Sequence, residues 1–164
     1  SILLIGAGIL AACALASPPT PDFQDPAYRW SADLSQPGAD LLVRGQKLEG
    51  IKGELNQLIF AINGSDQDPE SFRTPEGQEP LGAPKLKLVE LRGKVAVVEV
   101  INALYLTQRM GSAGADAFLA EATFTLTEHP AVEAVDFQFE EGDHAGPGVY
   151  TRQDFLQRWT PVEK

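Results

Sequence analysis

The sequence predicts an α+β fold: a two-layer sandwich in which a mixed or antiparallel sheet carries helices on one face, in the order β-α-β-β-α-β-α. Three observations predict it. Two apolar arms, LKLVEL (86–91) and VAVVEV (95–100), flank Arg92-Gly93-Lys94, and Gly93 can take the positive φ of a tight hairpin turn. The stretch 112–140 holds a helix start, a helix, a helix stop and a strand in close succession. Strands and helices also fail to alternate strictly, which argues against a doubly wound parallel sheet.

The chain of 164 residues, 43% of them hydrophobic, has room for one ordinary core. It opens on the apolar run SILLIGAGILAA (1–12), too short to span a bilayer and followed by small residues, the pattern of an export signal. Further residues are expected ahead of Ser1, because such a signal has a basic leading segment. Leu10-Ala11-Ala12-Cys13 resembles a bacterial lipobox, which makes Cys13 the candidate lipidation site. Ala14-Leu15-Ala16 instead fits ordinary secretory cleavage before Ser17. Cys13 is the only cysteine, so no intrachain disulfide can form. Residues 1–16 are thus read as export signal and lipobox, 17–27 as a proline-rich extended tether, and 28–160 as a single domain. The mature protein is expected outside the cytoplasm, lipid-anchored at the outer face of the cytoplasmic membrane or in the envelope, or secreted if cut after Ala16.

In the domain, Tyr28, Trp30, Ala32 and Leu34 alternate with polar residues and predict a first strand with one buried face. Leu48, Ile51, Leu55, Leu58, Ile59 and Ile62 share a helical face, and Asn63-Gly64 supplies a stop. Gly50 and Gly53 weaken the start by about 1 kcal/mol each, so a secure helix is expected only over 51–62. Residues 65–84 read as a long acidic loop with Phe72 and Leu81 as anchors. After the hairpin, 102–110 reads as an irregular crossover whose Leu104, Tyr105 and Leu106 cover an edge of the core.

Ser112 is placed as the N-cap of a helix over 113–128, with Asp116 in its first turn and Pro130 ending it. Ala115, Phe118, Leu119, Ala122 and Leu126 share its core face. Ala117, Ala120 and Phe124 lie opposite as a second apolar patch and are the candidate partner-binding residues, Phe124 being either covered by the last helix or exposed to a partner. His129 is read as a helix C-terminal imidazolium. Val135, Phe137 and Phe139 alternate with Asp136 and Gln138 as a strand. A turn-rich loop over 140–148 follows. Thr151 then caps a short helix, boxed by Asp154 and docked by Phe155 and Trp159.

Chemistry is sparse along this chain. Thirteen basic against 23 acidic residues give a net charge of -10, which repels phosphate backbones and makes nucleic acid an unsuitable partner. No G-x-S-x-G, phosphate loop, H-E-x-x-H or calcium loop is present, and Ser112 in Gly-Ser-Ala-Gly is read as a cap, not a nucleophile. The one metal alternative is weak: Asp143 and His144, beside Glu140 and Glu141, could take a divalent cation. No catalytic residue and no cofactor is therefore assigned.

The run Gly111-Ser112-Ala113-Gly114, then AEATFTLTEHPAVEAVDFQFEEG (120–142) and TRQDF (151–155), resembles the GerMN domain of sporulation and germination proteins. KLVELRGKVAVVEV (87–100) supports the likeness, which extends over about 47–155. His129 stands where the family commonly has an aromatic residue, and the segment around Tyr28 departs from its pattern. The resemblance implies a non-catalytic module on exported or membrane-attached bacterial envelope proteins, used for binding or assembly with an envelope protein or polymer. The alternative from another class is a metal-assisted hydrolase acting on envelope polymers through 140–144.

Overall fold

A computed structural model describes residues 27–36, 38–48, 54–79 and 82–163. The export segment 1–16, lipidation at Cys13, nearly all of the 17–27 tether and the proposed helix start at 51–53 lie outside the described residues. The elements are β1 (Ala27–Asp33), β2 (Leu41–Leu48), α1 (Leu55–Asn63), a 3₁₀ turn (Pro69–Phe72), β3 (Lys85–Arg92), β4 (Val95–Ile101), α2 (Ala103–Gln108), α3 (Gly111–Leu126), β5 (Ala134–Gln138), β6 (Gly148–Tyr150), α4 (Arg152–Phe155) and β7 (Thr160–Glu163). The architecture is an α+β sandwich. Its order contains the predicted β-α-β-β-α-β-α with β2, α2, β6 and β7 inserted.

The predicted mixed sheet is four-stranded, β3-β4-β5-β6, with β4 and β5 parallel and the outer pairs antiparallel. Alternation sends Leu86, Ala96, Val98, Val100, Val135 and Phe137 to one face, where they join Leu55, Leu58 and Ile59 of α1 and Ala115, Leu119, Ala122 and Leu126 of α3 in one core. A second sheet, β1-β2-β7, covers the far side of the helices, so that α1 and α3 each touch strands of both sheets. Its β2 and β7 are the elements the apolar pattern hides. Leu41-Leu42-Val43 is a short run diluted by Arg44, Gly45 and Gln46, and β7 contains Pro161, which suits an edge. The domain accordingly extends through Glu163 and not only to 160.

The position of α3 between sheets explains why its sequence lacks a single stripe. Phe124 is 1% exposed, Ala120 0% and Ala117 9%, so the patch read as a partner surface is interior. The chain itself supplies the cover. Trp30 of β1 meets Phe124 edge-on at 5.0 Å, and the Arg152 guanidinium lies 4.8 Å from the Phe124 ring centroid. The N–H groups of Trp30 and Ala32 donate to Thr125 Oγ1 at 3.1 Å and Glu121 at 2.6 Å, one turn apart on α3. The free edge of β1 is thereby satisfied by a helix. At the end of α3, nearly buried Glu128 accepts from Trp30 Nε1 (2.7 Å) and from Arg44 through two bonds (3.1 and 2.9 Å).

Two local readings are corrected. The helix begins at Gly111 with Met110 as its flanking residue, so Ser112 is inside the first turn and caps nothing. His129 lies beyond α3, which ends at Leu126; it is buried, and its Nδ1 accepts from the Ala131 N–H at 3.1 Å in the turn that follows the helix. Other local signals hold. Gly64 closes α1, the turn at Gly93 has φ 59, and Thr151 with Asp154 forms a capping box on α4.

Candidate functional site

β4 and β5 run parallel, so their carboxyl ends reach the same edge of the sheet, and the chain leaves both there in polar segments. From β4 the backbone turns sharply: Asn102 has φ 58, the one non-glycine residue with positive φ among the described residues. Asn tolerates this left-handed region better than residues whose side chains cannot bond locally. The dihedral starts α2 directly after the strand and aims the Asn102 amide at the strap 65–79. There Oδ1 accepts from the Thr74 N–H at 2.9 Å and Nδ2 donates to the Phe72 carbonyl at 2.7 Å. One side chain thus fixes both neighbours of Arg73.

The strap is held a second time by charge. Asp68 accepts from the Glu70 N–H at 3.0 Å and Pro69 occupies the first position, which forms the 3₁₀ turn. Glu70 then meets Arg73 (2.6 Å) and Lys87 of β3 (2.7 Å), and Arg73 reaches Glu99 of β4 at 2.7 Å. Hydrogen bonds from Arg73 first and Lys87 second pull the Glu70 carboxyl down to about 2. The same contacts raise Arg73 and Lys87. The long acidic loop of the sequence is therefore an anchored strap over β3 and β4.

From β5 the chain enters the loop 140–147, which docks on α2. A Cβ on Gly142 would lie 2.6 Å from Thr107 Cβ, so only glycine allows this approach. The His144 N–H donates to the Thr107 carbonyl at 3.2 Å, Gly142 N–H to Ala145 at 3.0 Å, and the Tyr150 hydroxyl to Gly146 at 2.8 Å. Burial, then the negative charges of Asp116, Asp154 and Glu141, raises the Tyr150 phenol, which keeps it a donor. Ser112 Oγ stands 3.1 Å from His144 Nδ1. Its role is thus to hold this loop to the first turn of α3.

Between strap and loop lies a groove made of two adjoining depressions of about 360 and 330 Å³ that share Ala103 and Leu104. Thr74 to Gln78 form one wall, Glu140 and Glu141 the other, and Thr107 and Gln108 continue the floor. Leu104 is 53% exposed there, while Leu106 of the same helix is fully buried. The expectation that Leu104 covers the core is therefore overturned; it faces outward at the groove's centre.

The predicted site residues are dispersed accordingly. Ala117, Ala120 and Phe124 are core. His144 and Asp143 lie beside the groove, with His144 Nδ1 held by Ser112, and among the described residues no three His, Cys, Asp or Glu side chains converge as metal ligands. Ser112 and His144 touch without a third group to orient the ring, so the described contacts supply no nucleophile, base and orienting residue together. Asn102, Leu104, Thr107, Glu70 and Arg73 were missed. Their one sequence signal was an Asn straight after an apolar strand, facing an unusually long loop.

The fold and groove define a class: an α+β sandwich that presents an open, partly apolar cleft at the carboxyl edge of a parallel strand pair. No family model, curated protein or solved structure matches the chain.

Proposed function

We propose that the protein is a non-catalytic binding or assembly module of the cell envelope, exported and lipid-anchored at Cys13, which engages its partner through the groove over α2. The observation that carries this reading is the groove itself. Two independently anchored segments, the strap and the 140–147 loop, hold an exposed Leu104 between them in a concave, partly apolar site. Anchored walls favour binding because little ordering entropy remains to be lost. The likeness to the GerMN pattern, concentrated in 111–142, supports the same reading, since that segment forms α3, β5 and the start of the groove's second wall.

Photo-crosslinking groups placed at Leu104 and Gln108 in the exported full chain, with Gln153 as a control outside the groove, test the proposal. Specific adducts identified at both groove positions and absent at Gln153 are expected. No adduct at either groove position overturns the reading.

A further inference from the structure

The charges of the described residues are unevenly spent. Each arginine among them is in an ion pair. Arg73, the one cation lining the groove, is occupied by Glu70 and Glu99. Glu76 on one wall and Glu140 and Glu141 on the other have no cation within 4 Å among the described residues, and all three are exposed. The groove therefore sets unneutralised carboxylates on both sides of an exposed leucine. Such an arrangement repels anionic polymers and gives a neutral one no use for the charges. A bare divalent cation would need converging ligands, and none converge among the described residues.

Resting on the binding reading above, we propose that the groove takes a basic polypeptide segment, one in which an apolar side chain is flanked by Lys or Arg. The apolar side chain covers Leu104. Its cationic neighbours reach Glu76 on one wall and Glu140 and Glu141 on the other, and the side-chain amides of Gln78 and Gln108 offer donors and acceptors to the extended backbone. Exposed ion pairs are individually weak, so several must act with the apolar contact. Binding is accordingly salt-sensitive.

The test uses the full chain and a fluorescent peptide of alternating Lys and Leu, followed by anisotropy at low and high salt. An alternating Glu and Leu peptide and an alternating Lys and Ser peptide are the comparisons. Glu140→Gln/Glu141→Gln should weaken the Lys/Leu peptide about fivefold, and Leu104→Ser about tenfold. Glu54→Gln/Glu133→Gln, which removes the same charge away from the groove, should change binding less than about twofold, because distant exposed charges are screened. All four residues are exposed, so the variants keep the fold. Equal weakening by both charge pairs would mean general attraction to an acidic chain and overturns the proposal. So does equal binding of the Glu/Leu or Lys/Ser peptide, or no effect of Leu104→Ser. A groove crosslink to a partner that lacks a basic segment overturns the ligand class and leaves the binding reading intact; empty crosslinks at Leu104 and Gln108 overturn the reading itself.

Discussion

Asn102 joins a strained dihedral to two hydrogen bonds, and substitution can separate the two. An alanine at φ 58 accepts a left-handed conformation at a cost of roughly 1 kcal/mol or more and loses the bonds to Thr74 and Phe72, each worth about 1 kcal/mol. Asn102→Ala is expected to destabilise by about 3 kcal/mol, whereas Asn102→Gly, which tolerates the dihedral, loses about 2. Urea denaturation checks the order; a glycine variant less stable than the alanine one would refute the role of the dihedral. Phe124→Ala, emptying the contact between Trp30 and Arg152, should cost about 3–5 kcal/mol in the same measurement. That magnitude separates core from surface, where truncation of a residue read as partner-binding would be nearly neutral. Single residues were the hardest scale to read in advance. Ser112 has a cap's chemistry, but the backbone enters α3 one residue earlier, and its hydroxyl goes to His144 in a loop far along the chain.

Elements with local signals were legible. Hairpin, α3 and β5 follow from periodicity, and capping chemistry fixed α1 and α4 at Gly64 and Thr151, because those signals act over a few residues. β2 and β7 were not, since their pairing is settled by a parallel contact between Leu41–Arg44 and Thr160–Glu163, more than a hundred residues apart in sequence. Nor was the second sheet: the apolar patch of Ala117, Ala120 and Phe124 reads as a partner surface, and only long-range contacts of Phe124, Glu121, Thr125 and Glu128 with β1 make that face interior. Glu128 is the key to that junction. Glu128→Gln leaves Arg44 and Arg152 without their shared carboxylate and should cost about 3 kcal/mol, read by the same denaturation assay. The strap carries a pH prediction. Glu70 is held at about 2 against an ordinary 4.5, so its stabilisation is full above about 4.5, falls with pH, and is gone below about 2. Carboxyl NMR should show the low midpoint in the native chain and a higher one in Arg73→Gln. Amide protection at Thr74 should decline over the same pH window; a Glu70 midpoint that ignores Arg73→Gln would sink the clasp.

At the scale of the whole molecule, the net charge of -10 constrains how the protein can be held at a membrane. Anionic headgroups repel such a surface, and no described helix is long and apolar enough to cross a bilayer. The groove adds to this, because its free carboxylates are turned outward and suit a basic protein segment better than a lipid surface. Under the proposed function, acyl chains at Cys13 hold the chain at the membrane, a contribution that scales with buried methylenes and is insensitive to salt. Cys13→Ser should move the chain from the membrane pellet to the soluble fraction, while a high-salt wash leaves the wild-type chain in the pellet. The two arms distinguish the forces involved: release by salt would mean electrostatic attachment through a basic partner at the groove, and unchanged pelleting of Cys13→Ser would remove the lipid anchor from the proposal. If the variant is also combined with Leu104→Ser, further loss of pelleting at low salt would report partner engagement separately from the anchor, since Leu104 lies in the folded domain and Cys13 precedes it.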